Sequence, residues 1–188
     1  QNGEGIVGVA PNALILPVQV IKTSPNAPVR PMDASAPEKD AKEEDPTTGS
    51  PTEQRLKWAT GFTDIIARGV LYAIREQADV MNLSLAWPSS SQSPLLTRMF
   101  NLAFKQNILI VSAAGNDGAE SKVYPCAMTG VICVASHGPD GELSYFSNRG
   151  SFVDLAAPGL SILSLWPMNK RANVFTEYAG FELKNGTS

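Results

Sequence analysis

At 188 residues, 43% of them hydrophobic and 18% charged, the chain is long enough for one sizeable core and short for two domains. A formal net charge of -3 excludes the basic footprint of a nucleic-acid binder. No apolar run approaches the roughly 20 residues of a membrane-spanning helix, and two cysteines with a single histidine, His137, cannot build a four-ligand zinc site.

In chain order, residues 13–20 read as a buried strand, short, apolar and β-branched at its end, with Pro17 pointing to an edge position or a local irregularity. Composition then changes. Residues 23–57 carry Pro25, Pro28, Pro31, Pro37, Pro46 and Pro51, the charge run 38–45, and almost no large apolar side chains. Such a stretch cannot bury enough surface to offset its ordering entropy, which predicts an irregular surface insertion in a single domain spanning 1–188. Over residues 63–77, Ile66, Val70, Ala73 and Ile74 fall on one helical face, with Thr63 as the cap. A second strand is expected at 78–85 and a second helix at 94–105, with Leu95, Leu96, Met99 and Ala103 inward. A third strand at 107–114 is apolar throughout, as a strand covered on both faces should be. Shorter strands follow at 131–135 and 152–155. The alternation predicts an α/β fold of three layers, a mostly parallel sheet with helices on both faces.

The working crevice of such a sheet lies at the carboxyl ends of its strands. Here those ends turn abruptly to small or polar residues: Ser84, Leu85, Ala86 and Trp87 after the second strand, and Ala113, Ala114, Gly115, Asn116, Asp117 and Gly118 after the third. Taken alone, Gly115-Asn116 is an ordinary turn pair, and a Ser beside a Gly and a Thr at 186–188 is equally unspecific. Cys126 and Cys133 leave two readings, a pair of buried thiols or a short disulfide stapling a turn to the following strand. The six intervening residues can fold back through Thr129-Gly130 to the roughly 4.4–6.8 Å between Cα atoms that a bridge requires. We expect the bridge, and with it an oxidising, secreted or periplasmic setting.

Six segments in one order are far more specific than any of them singly. They are residues 5–13; 69–74 with 78–85; Val-Ser-Ala-Ala-Gly-Asn-Asp-Gly at 111–118; Tyr124-Pro125 with 130–134; Phe-Ser-Asn-Arg-Gly at 146–150 with 153–159; and Asn-Gly-Thr-Ser at 185–188. Over nearly its whole length the chain resembles the subtilisin family of serine peptidases. The resemblance implies an endopeptidase with Ser188 as nucleophile, activated by a His that an Asp orients. Both partners are expected outside this chain, which would be incomplete at both ends, with autolysis as the expected origin; alone it should be inactive. Asn116 matches the amide that donates to the tetrahedral oxyanion beside a backbone N–H. Ser84, Leu85 and Ala86 match the strand that pairs with an extended substrate. Ala113, Ala114 and Gly115 match the lining of the pocket for the residue before the scissile bond, and Phe62, Ile65 and Leu85 surround a second, apolar pocket. Trp87 departs from the family's Gly-Gly and is expected to narrow or wall the cleft. The Tyr124–Pro125 bond is expected to be cis.

By the same resemblance, His137 sits in a turn at 136–141 far from the nucleophile and is not the base. Asn2 matches part of a structural calcium loop, and no cofactor is otherwise required. The implied partners are protein or peptide substrates, the missing fragments or an inhibitory propeptide, with no nucleic acid and no membrane. An inert peptide-binding fragment or pseudopeptidase is the alternative. Asn116 and Ser188 together favour the enzyme, since neither adds much to ground-state peptide binding. A doubly wound small-molecule binder is disfavoured because no Gly-rich phosphate loop follows any strand.

Overall fold

A computed structural model describes residues 9–20, 51–88, 92–165 and 181–188. Helix α1 (Pro51–Arg75) leads to strand β1 (Val80–Leu83), β2 (Trp87–Pro88), helix α2 (Pro94–Lys105), β3 (Leu109–Ala113) and β4 (Val123–Tyr124). Then come β5 (Val131–His137), β6 (Leu155–Pro158), β7 (Ile162–Leu165) and β8 (Phe181–Lys184). A parallel sheet runs in the order β1-β3-β5-β6, and β2–β4 and β7–β8 form antiparallel pairs. Strands joined through helices into a parallel sheet make this an α/β fold.

Residues Met81, Ile110 and Val131 lie in one row across β1, β3 and β5. They form the main core with Ile66, Ala67, Val70 and Ala73 of α1 and Leu96, Phe100 and Ala103 of α2. Among the described residues both helices therefore cover the same face, while Val80, Leu109 and Leu155 of the other face are exposed. Helix α2 keeps its expected bounds because local signals fix both ends: the Ser93 hydroxyl caps the Leu96 N–H, and Pro94 occupies the first turn. Its buried stripe is Leu96, Phe100 and Ala103, whereas Leu95 is exposed and Met99 is only partly buried. Periodicity gives a stripe's spacing; the neighbour it meets gives its rotation about the axis.

Three further expectations are corrected. Helix α1 begins at Pro51, so 51–57 are helical rather than irregular. Pro51 stands at the first helical position, where a missing N–H costs nothing, and no Gly or Pro follows until Gly61. The strand expected at 152–155 lies at Leu155–Pro158. Asp154 lies before that strand and docks on β5, its N–H donating to Cys133 O (3.0 Å) and its carboxylate accepting from Cys133 N–H (2.8 Å). Residues 13–20 form no ladder. They run extended and mostly exposed, with Val18 and Val20 leaning on Gly69 of α1. A groove of about 990 Å³ separates them from the outer edge of β1.

Candidate active site

Ala113 ends β3, and the chain then turns sharply at Gly115, whose φ of 100° is left-handed and free of strain only without a Cβ. The turn brings Gly115 and Asn116 against the end of the chain. Gly115 N–H donates to Thr187 Oγ1 at 3.2 Å. Thr187 N–H and its hydroxyl each donate to Asn116 Oδ1 at 3.0 Å. These bonds join positions 71 and 72 residues apart. With Oδ1 saturated by Thr187, the Asn116 amide has one orientation, and its Nδ2 donor is left available. Asn116 is half-buried, Thr187 is buried, and Ser188 beside it is exposed.

The approach of the chain end is prepared on its other side. Gly186 N–H donates to Gly159 O at 2.9 Å, and a side chain at Gly159 would collide with Gly186 O and Ser136 Oγ. Asn185 Oδ1 accepts from Ser161 N–H at 2.7 Å. Asn116, Gly115, Ala114, Ala113 and Ser188 are thus gathered in one place. Thr187, which does the gathering, was not singled out in the sequence, although it sits inside a motif that was.

The other expected residues are less closely drawn in. Ser84, Leu85 and Ala86 follow β1, and the end of that strand is tied to β3 by Ser112 Oγ donating to Leu83 O at 3.1 Å. Ser84 Oγ accepts from Asn82 Nδ2 at 3.2 Å. Leu85 packs partly against the core, while Ile65 is exposed on α1. The side chain of Phe62, and Asn2 with its calcium loop, lie outside the described residues. The 990 Å³ groove reaches Ser84 and Leu85 but neither Asn116 nor Ser188, so it is set apart from the candidate chemical centre.

Trp87 is only 8% exposed, belongs to the main core and pairs with Tyr124. It also lines a pocket of about 270 Å³ against the start of α2. The Tyr124–Pro125 bond is cis. Cys126 and Cys133 are joined as a disulfide with Cα atoms 4.7 Å apart. His137 is the last residue of β5 rather than a turn residue, and its Nδ1 pairs with Gly138 O at 2.7 Å instead of with Ser188.

The subtilase family model matches the chain over residues 1–188. The chain is 39% identical, over 59% of its length, to the major intracellular serine protease of Bacillus subtilis (strain 168), and covers 36% of that protein. It is 32% identical, over 92% of its length, to thermitase of Thermoactinomyces vulgaris, covering 49% of it. A solved cold-adapted subtilisin-like serine proteinase superposes over 66% of this chain and 42% of its own, with TM-score 0.55 and 29% identity. The prenylagaramide maturation protease PagA gives 0.57 and 25%, over 66% of this chain and 43% of its own. The chain thus spans less than half the length of each of these relatives.

Proposed function

The chain belongs to the subtilase family, and on that premise we propose that it is the nucleophile- and oxyanion-bearing part of a serine endopeptidase. Ser188 Oγ attacks the scissile carbonyl carbon while its proton passes to a His that, with its orienting Asp, is supplied from outside these residues. The carbonyl oxygen becomes an oxyanion and accepts from Asn116 Nδ2 and the Ser188 N–H. Collapse breaks the C–N bond, the His returns the proton to the leaving amine, and water hydrolyses the acyl-enzyme in a second round. Ala113, Ala114 and Gly115 line the pocket for the residue before the scissile bond. Ser84, Leu85 and Ala86 pair with the substrate backbone, and Ile65 with Leu85 borders a second apolar site.

The observation carrying this reading is the double acceptance by Asn116 Oδ1 from Thr187, next to Ser188. It orients a donor ahead of the reaction, which is what oxyanion stabilisation needs and peptide binding does not. Peptides or proteins are the proposed substrates, with an inhibitory propeptide as a further partner. The calcium expectation at Asn2 enters no step of the mechanism. A secreted or extracellular location is supported by the Cys126–Cys133 bridge, although one relative is by name intracellular.

The test is Asn116→Ala in the complete enzyme, with kcat and KM measured on a peptide bearing large apolar residues. kcat should fall about 10²–10³-fold with KM little changed, a magnitude measured on subtilisin itself and therefore no independent estimate. Equal changes in both constants, or none, would remove Asn116 from the site.

A further inference from the structure

The loop from Gly115 to Ala119 is held on one side by Thr187. On its other side stands a residue to which the mechanism gives no part. Asn148 follows β5 in sequence, in the segment Phe-Ser-Asn-Arg-Gly, and is 0% exposed. A fully buried amide must find partners for two donor hydrogens and an acceptor, and leaving them unpaired costs about 1–3 kcal/mol. All the hydrogen bonds found for the Asn148 side chain are spent on this one loop. Its Oδ1 accepts from Asp117 N–H at 3.0 Å and Ala119 N–H at 3.2 Å, and its Nδ2 donates to Asp117 Oδ2 at 3.3 Å. Its backbone N–H adds a bond to Gly115 O at 2.9 Å. Two N–H donors facing one end of the amide and a carboxylate facing the other fix which end is oxygen. Asn148 also fills the space under Gly115 where a side chain would otherwise project, so a Cβ at 115 would collide with its Nδ2.

These contacts bracket Asn116. Asn148 binds the residue before it and the residue after it, and none of these bonds is to Asn116 itself. The backbone on both sides of the oxyanion donor is therefore held by a single residue, its main-chain N–H bonding Gly115 O and its side chain bonding Asp117 and Ala119, while Thr187 sets the rotation of the donor's amide. Resting on the reading given above, we propose that Asn148 is a positioning residue for oxyanion stabilisation. It acts through the Gly115–Asp117 backbone and contributes to turnover rather than to substrate affinity. An error on the order of 1 Å in the donor is enough to cost up to about 10²-fold in rate.

The experiment uses the complete enzyme and a peptide substrate, with Asn116→Ala, Asn148→Ala and the double variant compared. Asn148→Ala should lower kcat about tenfold or more, within the range such a misplacement allows, with KM nearly unchanged. In the Asn116→Ala background the same change should have little further effect, because the group it positions is gone. An equal loss in both backgrounds means a merely structural role and overturns the inference. Asn116→Ala without effect on kcat overturns the underlying oxyanion assignment instead, which keeps the two failures apart.

If Asn148→Ala fails to fold, a polar exchange decides. Asn148→Asp keeps the acceptors for the two N–H groups but sets a carboxylate against Asp117, and kcat should fall. Adding Asp117→Asn restores a donor–acceptor pair across the same gap and should recover most of that loss. If the exchanged pair stays as slow as Asn148→Asp alone, Asn148 does not act through Asp117 and the proposal fails.

Discussion

Residues 131–137 and residues 13–20 are both short apolar runs, yet one is a strand with a sheet neighbour on each side and the other joins no sheet among the described residues. β5 lies between β3 and β6 and buries Val131, Cys133, Ala135 and Ser136. Its neighbour rows supply a partner for the N–H and C=O groups along its length. In the other run Leu14 and Ile15 are 100% and 87% exposed, and the groove beside β1 stands open. The difference lies in the available edges more than in the side chains. A strand is stable where a neighbour offers unpaired backbone groups at the right spacing and a core lies beneath it. Apolar, β-branched composition makes a segment suitable for that place without creating it.

Substitution of matched residues sharpens this contrast. Ile110 is fully buried in β3, between β1 and β5, and Ile110→Ala should lower the unfolding free energy by about 2–5 kcal/mol. Denaturant unfolding measures it, and a loss below about 1 kcal/mol would mean that the sheet does not form the core described. The disulfide ties the turn after β4 to β5 and is a smaller element of the same region. Replacing Cys126 and Cys133 together by Ala should cost about 2–3 kcal/mol, the entropy of closing so short a loop in the unfolded chain. No change in unfolding midpoint would show that the turn is held by packing alone. Ile15→Ala should be nearly silent, within about 0.5 kcal/mol, as for an exposed site. A cost approaching that of Ile110→Ala would break the comparison, because residues 13–20 would then be packed into the sheet in solution.

How legible the molecule was follows from the range over which each signal acts. The bounds of α2 were readable because its cap and first-turn proline are neighbours in sequence. The rotation of that helix was not, and Phe100, its most buried large side chain, was missed because only contact with Ile110 and Val131 shows which face is inward. The start of α1 is not legible from proline content, because Pro51 is as compatible with a first helical turn as with a loop.

At the candidate site, Asn116 and Ser188 came from motif order, as did the cis bond before Pro125. Thr187 and Asn148 did not stand out, since their partners are 71 residues away in one case and 31 in the other. Trp87 shows the same limit: an aromatic residue beside a strand end suits a cleft wall and a core equally, and its place in the core and its pairing with Tyr124 are visible only in the fold.

The sequence alone therefore determined the family, most of the alternation of helices and strands, and the candidate residues for the chemistry. All of these depend on residue type and short-range spacing. Tertiary structure decided which edges are paired, which helix faces are buried and how the Asn116 amide is turned. Those depend on groups distant in the chain meeting at hydrogen-bonding distance, where a change of about 1 Å makes or loses the bond.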